Sequence, residues 1–211
     1  VYAVLADTVI KEQIPNVQLL TALKTMPPAV RALCKGETKI DGFLAPGHVA
    51  VITGEGPWHQ LAAAQGLPFV ISGFTGEELL CSLYALVRLA GQGVCKNLYP
   101  AAVRPEGNPA ARALVDRYFE PTDAAWRGLG ILPGSGLVLR PQYQHLDAGS
   151  AQLTTDAAAQ SGCRCAQVIT GAIPPTACPL FGTVCTPGTP RGACMVSGEG
   201  SCHNAYLNHR M

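Results

Sequence analysis

The chain has 211 residues, of which 48% are hydrophobic and 14% charged, a composition typical of globular proteins and far from that of disordered chains. Fifteen basic and fourteen acidic residues leave a formal net charge of +1 without a basic stripe, which argues against nucleic acid and anionic membranes as partners. No apolar run approaches the roughly 20 residues of a transmembrane helix, and no signal peptide is visible.

Residues 1–100 alternate between helical and extended patterns. The sequence begins in a helical pattern at Val1 rather than at a methionine, and we interpret it as part of a longer protein. Helices are predicted over residues 2–11, 27–34, 57–65 and 76–90, and strands over 16–20, 41–45 and 68–72. Thr75 is the predicted N-cap of the last helix. Its apolar face is predicted to comprise Leu79, Leu80, Leu83, Tyr84, Leu86 and Val87. Repeated strand–loop–helix units predict an α/β fold with a parallel-sheet, Rossmann-like body.

A different pattern follows residue 100. A helix is predicted over 108–119, with Asn108 as its N-cap. Residues 126–132 and 137–139 flank Pro133-Gly134-Ser135-Gly136, a turn signal, and predict a β-hairpin. Residues 148–159 are small and polar and predict a linker, and 205–210 predict a terminal helix. We therefore expect a Rossmann-like domain over 1–100, a helix and hairpin segment over 101–150 that completes or bridges it, and a small irregular cysteine-rich domain over 151–211.

Six of the nine cysteines fall in the last fifty residues, at Cys163, Cys165, Cys178, Cys185, Cys194 and Cys202. Between residues 171 and 200 the chain holds five prolines, six glycines and few large aliphatic residues. Such a stretch cannot bury much apolar surface, so disulfides or a metal centre are the physical means of holding it in shape.

Three chemistries are compatible with these cysteines. A disulfide framework is typical of short secreted chains, whereas Cys34, Cys81 and Cys95 lie singly in an α/β body of cytosolic character. Structural zinc favours ligands two to four residues apart, but the closest pair is Cys163-Arg164-Cys165 and no C-x-x-C occurs. An iron–sulfur cluster takes four thiolates, which can come from separated loops. Spacing alone does not select four ligands from six.

The segment CPLFGTVCTPGTPRGACMVSGEGSC (178–202) resembles the C-terminal signature of the HypD family of hydrogenase maturation factors. The resemblance continues upstream, in colinear order, through KIDGFLAPGHVAVITG (39–54), PFVISGF (68–74), VRPEGNPAARAL (103–114) and EPTDAAWRGLGILPGSGLVLR (120–140). It covers nearly the whole chain.

The resemblance implies a 4Fe-4S cluster bound through the spacing C-x14-C-x6-C-x16-C. In this sequence that spacing falls on Cys163, Cys178, Cys185 and Cys202. In the family the remaining two cysteines of the segment form a redox-active thiol/disulfide pair beside the cluster, which here implies Cys165 and Cys194. His48 follows a predicted strand, where α/β sheets place ligands, and the resemblance makes it a candidate cleft residue near the iron site. Without the resemblance, a structural histidine is the expectation.

By the same resemblance, the expected function is assembly and delivery of the Fe(CN)2CO unit of NiFe-hydrogenases in the cytoplasm. The expected partners are a small HypC-type chaperone, a HypE-type cyanide donor and, indirectly, the hydrogenase large subunit. The protein would be an assembly scaffold with redox capacity rather than a turnover enzyme. The family's iron-handling motifs, of the types CGGH and GPGCPVC, lie in an N-terminal region of the family and do not occur in this sequence. The iron cargo is therefore expected only if that N-terminal region is supplied.

Two other functions remain open from the residues themselves. A structural zinc module on an α/β domain would serve as a docking surface and would be redox-silent. A general thiol–disulfide oxidoreductase would need at least one cysteine with a lowered pKa.

Overall fold

The computed structural model describes residues 1–36, 38–126, 128–150 and 162–208. The chain divides into two compact units. The first comprises Val1–Leu23, Asp41–Pro121 and Leu137–Ser150. The second comprises Lys24–Ile40, Thr122–Gly136 and Ala151–Met211, so each unit is assembled from separate stretches of sequence. The predicted linker over 148–159 lies almost entirely outside the described residues.

The first unit contains a parallel sheet in the order β2-β3-β4. Its strands are β2 (Phe43–Pro46), β3 (Phe69–Ser72) and β4 (Cys95–Asn97). The register pairs Phe43 with Phe69 and Ile71 with Asn97. All four residues of β3 are buried, as expected for the central strand of a parallel sheet. The predicted α/β class with a parallel sheet is confirmed, and β4 is a strand that the sequence analysis missed.

Helices connect these strands and pack against them. The helices are α3 (Gly47–Thr53), α4 (Gly56–Gln65) and α5 (Gly76–Arg88). The N-terminus of α5 is fixed by a capping box, in which the Glu78 N–H donates to Thr75 Oγ1 at 3.2 Å and the Thr75 N–H donates to the Glu78 carboxylate at 2.9 Å. The predicted cap is therefore confirmed, whereas α3 was not foreseen.

Most residues of the predicted apolar face of α5 are exposed rather than buried. Leu80, Tyr84 and Val87 expose 69%, 70% and 74% of their surface, and Ser82 is the buried residue of this helix. Hydrophobic periodicity located the helix correctly, but it did not reveal which side packs on the sheet.

A second core in the first unit joins α1 (Tyr2–Lys11) to α6 (Pro109–Tyr118). Its buried residues are Ala3, Ala6, Val9, Leu19, Tyr118, Phe119, Leu139 and Leu146. The Asn108 side chain accepts the Ala111 N–H and caps α6 as predicted. The predicted strand over 16–20 is wrong, because within it Leu19 forms one isolated bridge, to Asp147. A six-residue 3-10 helix, Pro141–Leu146, completes this core.

A hairpin is present, but it is not the predicted one, because residues 130–132 and 137–139, predicted to lie in its two opposite strands, belong to a single strand. The strands are β5 (Phe119–Trp126) and β6 (Gly130–Leu139), in a sheet of order β1-β6-β5 with β1 at Leu23–Lys24. The Leu129 N–H donates to the Trp126 carbonyl between the strands. The sequence Pro133-Gly134-Ser135-Gly136 lies within β6, so the turn predicted there is wrong. Gly134 has a φ of 60° and donates its N–H to Asp123 Oδ1. This left-handed residue is therefore a local irregularity within β6 and does not end the strand.

The second unit contains α2, the distal parts of β5 and β6, and the cysteine-rich segment. Its helices are α2 (Met26–Leu33), α7 (Cys165–Ile169), α8 (Ala193–Val196) and α9 (Ser201–Asn208), with a 3-10 turn at Pro175–Ala177. The Lys39 N–H donates to the Thr170 carbonyl and the Thr25 N–H to the Ser135 carbonyl, which tie the three stretches together. The terminal helix begins earlier than predicted and includes Cys202.

None of the helices within the described parts of the chain combines the length and the apolar character needed to cross a membrane.

Candidate functional site

The six clustered cysteines converge in the second unit, although they are spread over forty residues of sequence. Five are buried, with exposures between 4% and 8%, and Cys163 is partly buried. Cys165, Cys185, Cys194 and Cys202 belong to one core cluster with Val168 and Met195, and Cys163 packs against it. Short helices present three of the sulfurs, because Cys165 begins α7, Cys194 lies in α8 and Cys202 in α9.

Cys165, Cys194 and Cys202 form a chain of hydrogen-bonded thiols. The Cys194 thiol donates to the Cys202 sulfur, and the two sulfurs are 3.0 Å apart. The hydrogen bond between Cys165 and Cys194, followed by burial, raises the pKa of Cys165. The backbone N–H groups of Cys194 and Ala193 act in the opposite direction, because they favour the thiolate. Cys194 therefore contacts both Cys165 and Cys202.

The sulfurs of Cys163, Cys178 and Cys185 lie close enough to influence one another. Burial raises the pKa of Cys163; the Cys165 N–H lowers it, and charges on Cys165, Cys178 and Cys185 raise it. Burial also raises the pKa of Cys202. The hydrogen bond from Cys194 lowers this pKa, and charges on the neighbouring cysteines raise it. The Arg191 N–H donates to Cys185 Sγ at 3.3 Å. Several thiolates here would repel one another, so joint ionisation requires a cation among them.

The donors fit an iron–sulfur cluster in kind and number. Four thiolates are the ligands of a 4Fe-4S cluster, and N–H groups directed at sulfur are a usual means of tuning one. Cys163, Cys178, Cys185 and Cys202 would hold it, leaving Cys165 and Cys194. The sulfur–sulfur contacts in this site join pairs of cysteines, such as Cys194 with Cys202. Among the described residues, no three histidine, cysteine or acidic side chains form a group that could hold a metal ion.

The three other cysteines lie apart from this group. Cys34 and Cys95 are partly buried and Cys81 is exposed. Burial, with the Glu55 carboxylate adding to it, raises the pKa of Cys95 to about 12. These cysteines have the character of structural or surface thiols rather than of ligands.

His48 lies in the other unit, in the first turn of α3 directly after β2. Its ring stacks on Phe74 with centroids 5.2 Å apart. Asn97, at the end of β4, donates to the Glu55 carboxylate at 2.8 Å and accepts the Tyr99 N–H at 2.8 Å. Polar groups thus gather where the parallel strands end, the usual ligand edge of such sheets. His48 was predicted from the sequence, whereas Glu55 and Asn97 were not, because no motif marks them.

The HypD family, described as "Hydrogenase formation hypA family", matches residues 1–209. The chain belongs to the HypD family. The family resemblance seen in the sequence is thereby confirmed.

The chain is 41% identical to the hydrogenase maturation factor HypD of Rhizobium leguminosarum bv. viciae over 190 residues, which are 87% of this chain and 49% of that protein. It is 41% identical to the hydrogenase maturation factor HypD1 of Bradyrhizobium diazoefficiens over 180 residues, 83% of this chain and 47% of that protein. It is 38% identical to the hydrogenase maturation factor HypD of Escherichia coli K12 over 192 residues, 86% of this chain and 50% of that protein. The chain thus spans about half the length of the curated HypD relatives it matches.

Proposed function

We propose that this chain acts in hydrogenase maturation as a redox-active iron–sulfur scaffold. Its 4Fe-4S cluster would be held by Cys163, Cys178, Cys185 and Cys202. The observation that carries the proposal is the gathering of the six cysteines in the second unit. Cys165, Cys185, Cys194 and Cys202 share one buried cluster, Cys163 packs against it, and Cys178 lies within electrostatic reach of Cys163 and Cys202. Membership of the HypD family supports the same reading.

Cys165 and Cys194 would form the exchangeable pair. Closing their disulfide breaks two S–H bonds, forms one S–S bond and releases two protons and two electrons. A bound cluster supplies one-electron transfer, so a low-potential electron-donor protein would reduce the disulfide in two single-electron steps. The thiols are already hydrogen-bonded, which leaves little motion for the pair to make. The hydrogen bond with Cys194 and burial raise the pKa of Cys165, and the Ala193 and Cys194 N–H groups partly offset that rise in favour of the thiolate that would attack or leave.

The cargo of the complete system would be the Fe(CN)2CO unit of a NiFe-hydrogenase. We propose a HypC-type chaperone and a HypE-type cyanide donor as partners in the cytoplasm, with the hydrogenase large subunit as the indirect recipient. The motifs of the types CGGH and GPGCPVC do not occur in this sequence. The part assigned to this chain is therefore the cluster and its thiol pair, and cargo handling would depend on a protein that supplies those motifs.

The first test is the metal content of the protein purified without oxygen. About four irons and four sulfides per chain, the stoichiometry of a cubane, would support the proposal. One zinc without sulfide would contradict the redox function and favour the zinc docking module.

Two substitutions test the assignment of ligands. Cys178→Ala removes a proposed ligand and should abolish the cluster. Cys165→Ala should keep the iron and sulfide and remove the exchangeable pair, measured as loss of the reducible disulfide. Equal loss of cluster from both variants would show that the four ligands have been chosen wrongly.

A further inference from the structure

Gly192 lies where the cysteine site is most crowded. It precedes α8 and is buried. A Cβ atom built on Gly192 would stand 2.7 Å from Cys163 Sγ, 3.2 Å from Cys165 Cβ and 3.6 Å from Cys165 Sγ. Ordinary contacts between such atoms are roughly 3.5–4 Å, so the Cys163 sulfur would have to move by about 1 Å.

The backbone around Gly192 faces three sulfurs at once. The residue before it, Arg191, donates its N–H to Cys185 Sγ at 3.3 Å. The two residues after it, Ala193 and Cys194, direct their N–H groups at the Cys165 sulfur. A segment can approach so many sulfurs only where its own side chain takes no space.

From these contacts we infer that Gly192 is a positioning residue, whose missing side chain lets Cys163 and Cys165 lie against the 191–194 backbone. The inference rests on the proposed function in that Cys163 is a cluster ligand there and Cys165 a redox thiol. Cysteine has one side-chain torsion, so its sulfur can move by about 1 Å only through a rotation of roughly 35° away from its staggered well, which is unfavourable. Either the Cys163 sulfur turns away from its place in the site or the backbone moves.

The backbone of Gly192 itself does not require glycine. Its φ of −114° and ψ of 158° are extended values that any residue adopts. Gly192→Ala therefore tests space beside the sulfurs rather than backbone strain. Gly198→Ala is the matched control, because a Cβ there meets nothing within 4 Å and its φ is not in the left-handed region.

The first experiment measures iron and sulfide per chain after anaerobic reconstitution, together with the visible and electron paramagnetic resonance spectra. Displacing groups that support metal ligands typically weakens metal binding by 10–100-fold. We therefore expect Gly192→Ala to bind iron and sulfide on the order of 10-fold more weakly than the parent. Gly198→Ala should match the parent. Parent-like loading of Gly192→Ala would overturn the inference.

A second experiment does not depend on the cluster. Urea unfolding of the iron-free parent, Gly192→Ala, Cys163→Ala and the double variant forms a double-mutant cycle. Gly192→Ala should lower the urea midpoint, and the fall should be markedly smaller in the Cys163→Ala background, where the clashing sulfur is gone. If Gly192→Ala alone does not fold, recovery of folding in the double variant supports the inference. The inference would be overturned if Gly192→Ala lowered the urea midpoint equally in the parent and in Cys163→Ala, or if the double variant stayed unfolded. A parent without iron and sulfide would refute the proposed function, while this cycle would still decide the role of Gly192.

Discussion

Removal of the cluster should change which disulfide the protein forms on mild oxidation. The Cys194 sulfur lies 3.0 Å from that of Cys202 and is also hydrogen-bonded to Cys165, so Cys194 has two partners within reach. When Cys202 ligates iron, only Cys165 remains available. The iron-loaded protein should therefore form the Cys165–Cys194 disulfide alone. The iron-free protein should form the Cys194–Cys202 disulfide as well.

The unfolded chain provides a reference ratio for these two products. Cys194 and Cys202 are eight positions apart, and Cys165 and Cys194 are 29 apart. Ring closure in a flexible chain becomes less probable with about the 3/2 power of loop length, so the shorter loop is favoured by about 7-fold, or about 1.1 kcal/mol. Exclusive formation of the longer loop in the iron-loaded protein would thus reverse the preference of the chain itself.

Tryptic peptides distinguish the two products directly. Cleavage after Arg164 and Arg191 places Cys165 in the peptide 165–191 and both Cys194 and Cys202 in the peptide 192–210. Mass spectrometry should find the two peptides cross-linked in the iron-loaded protein. An internal disulfide within 192–210 should appear in the iron-free protein. Cys165→Ser and Cys202→Ser each leave one product and identify the peaks. The same product ratio with and without iron would refute the assignment of Cys202 as a ligand.

Other predictions concern the first unit. Burial, and then the nearby Glu55 carboxylate, raise the pKa of Cys95 to about 12, so its thiolate fraction at pH 8 is on the order of 10³ lower than that of an ordinary cysteine. Cys95 should therefore react with iodoacetamide at pH 8 far more slowly than exposed Cys81. Comparable reaction rates of the two cysteines, measured by mass spectrometry, would contradict this prediction. Phe69→Ala, at a fully buried position, should lower the free energy of unfolding in urea by about 3–5 kcal/mol, whereas Phe74→Ala, at a position 58% exposed, should cost much less. The pKa of Asp7 is lowered by hydrogen bonds from a lysine and then a tyrosine, so its stabilising effect is present above the unfolded-state pKa and is lost as the pH falls through the lower folded-state pKa. Asp7→Asn should therefore reduce the loss of thermal stability between about pH 4 and pH 2. If the variant loses as much thermal stability over this pH range as the parent, the Asp7 contacts do not stabilise the fold as described.

The sequence predicted the elements whose signals are local. The buried strand β3, the capping box at Thr75 and the Asn108 cap each depend on a few neighbouring residues, and all three are found. The turn predicted at 133–136 is wrong because its residues are satisfied by distant partners. The Thr25 N–H donates to the Ser135 carbonyl, Trp126 Nε1 donates to Ser135 Oγ at 2.8 Å, and the Gly134 N–H donates to Asp123, so the segment stays within a strand.

The site was predictable in part for the same reason. Spacing and family resemblance singled out six cysteines, and the structure packs five of them together, with Cys178 within electrostatic reach of Cys163 and Cys202. The groups that organise them left no signal in the sequence. Gly192 is one glycine among many in its segment, and the N–H groups of Arg191, Ala193 and Cys194 belong to the backbone. Their roles depend on a tertiary approach that neither composition nor periodicity encodes.

The core of the cysteine-rich segment and the proposed cluster site share side chains, because Cys185 and Cys202 belong to both. Of the six buried residues in that core, four are cysteines, and Val168 and Met195 are the others. Cysteine is a small hydrophobe when it is a thiol, but as a thiolate it cannot remain buried without a cation. A bound cluster would therefore supply both the positive charge that permits ionisation and the cross-links that a proline- and glycine-rich segment lacks. Ligand binding of this kind contributes to the folding free energy, so the proposed cluster would add to the stability of this segment.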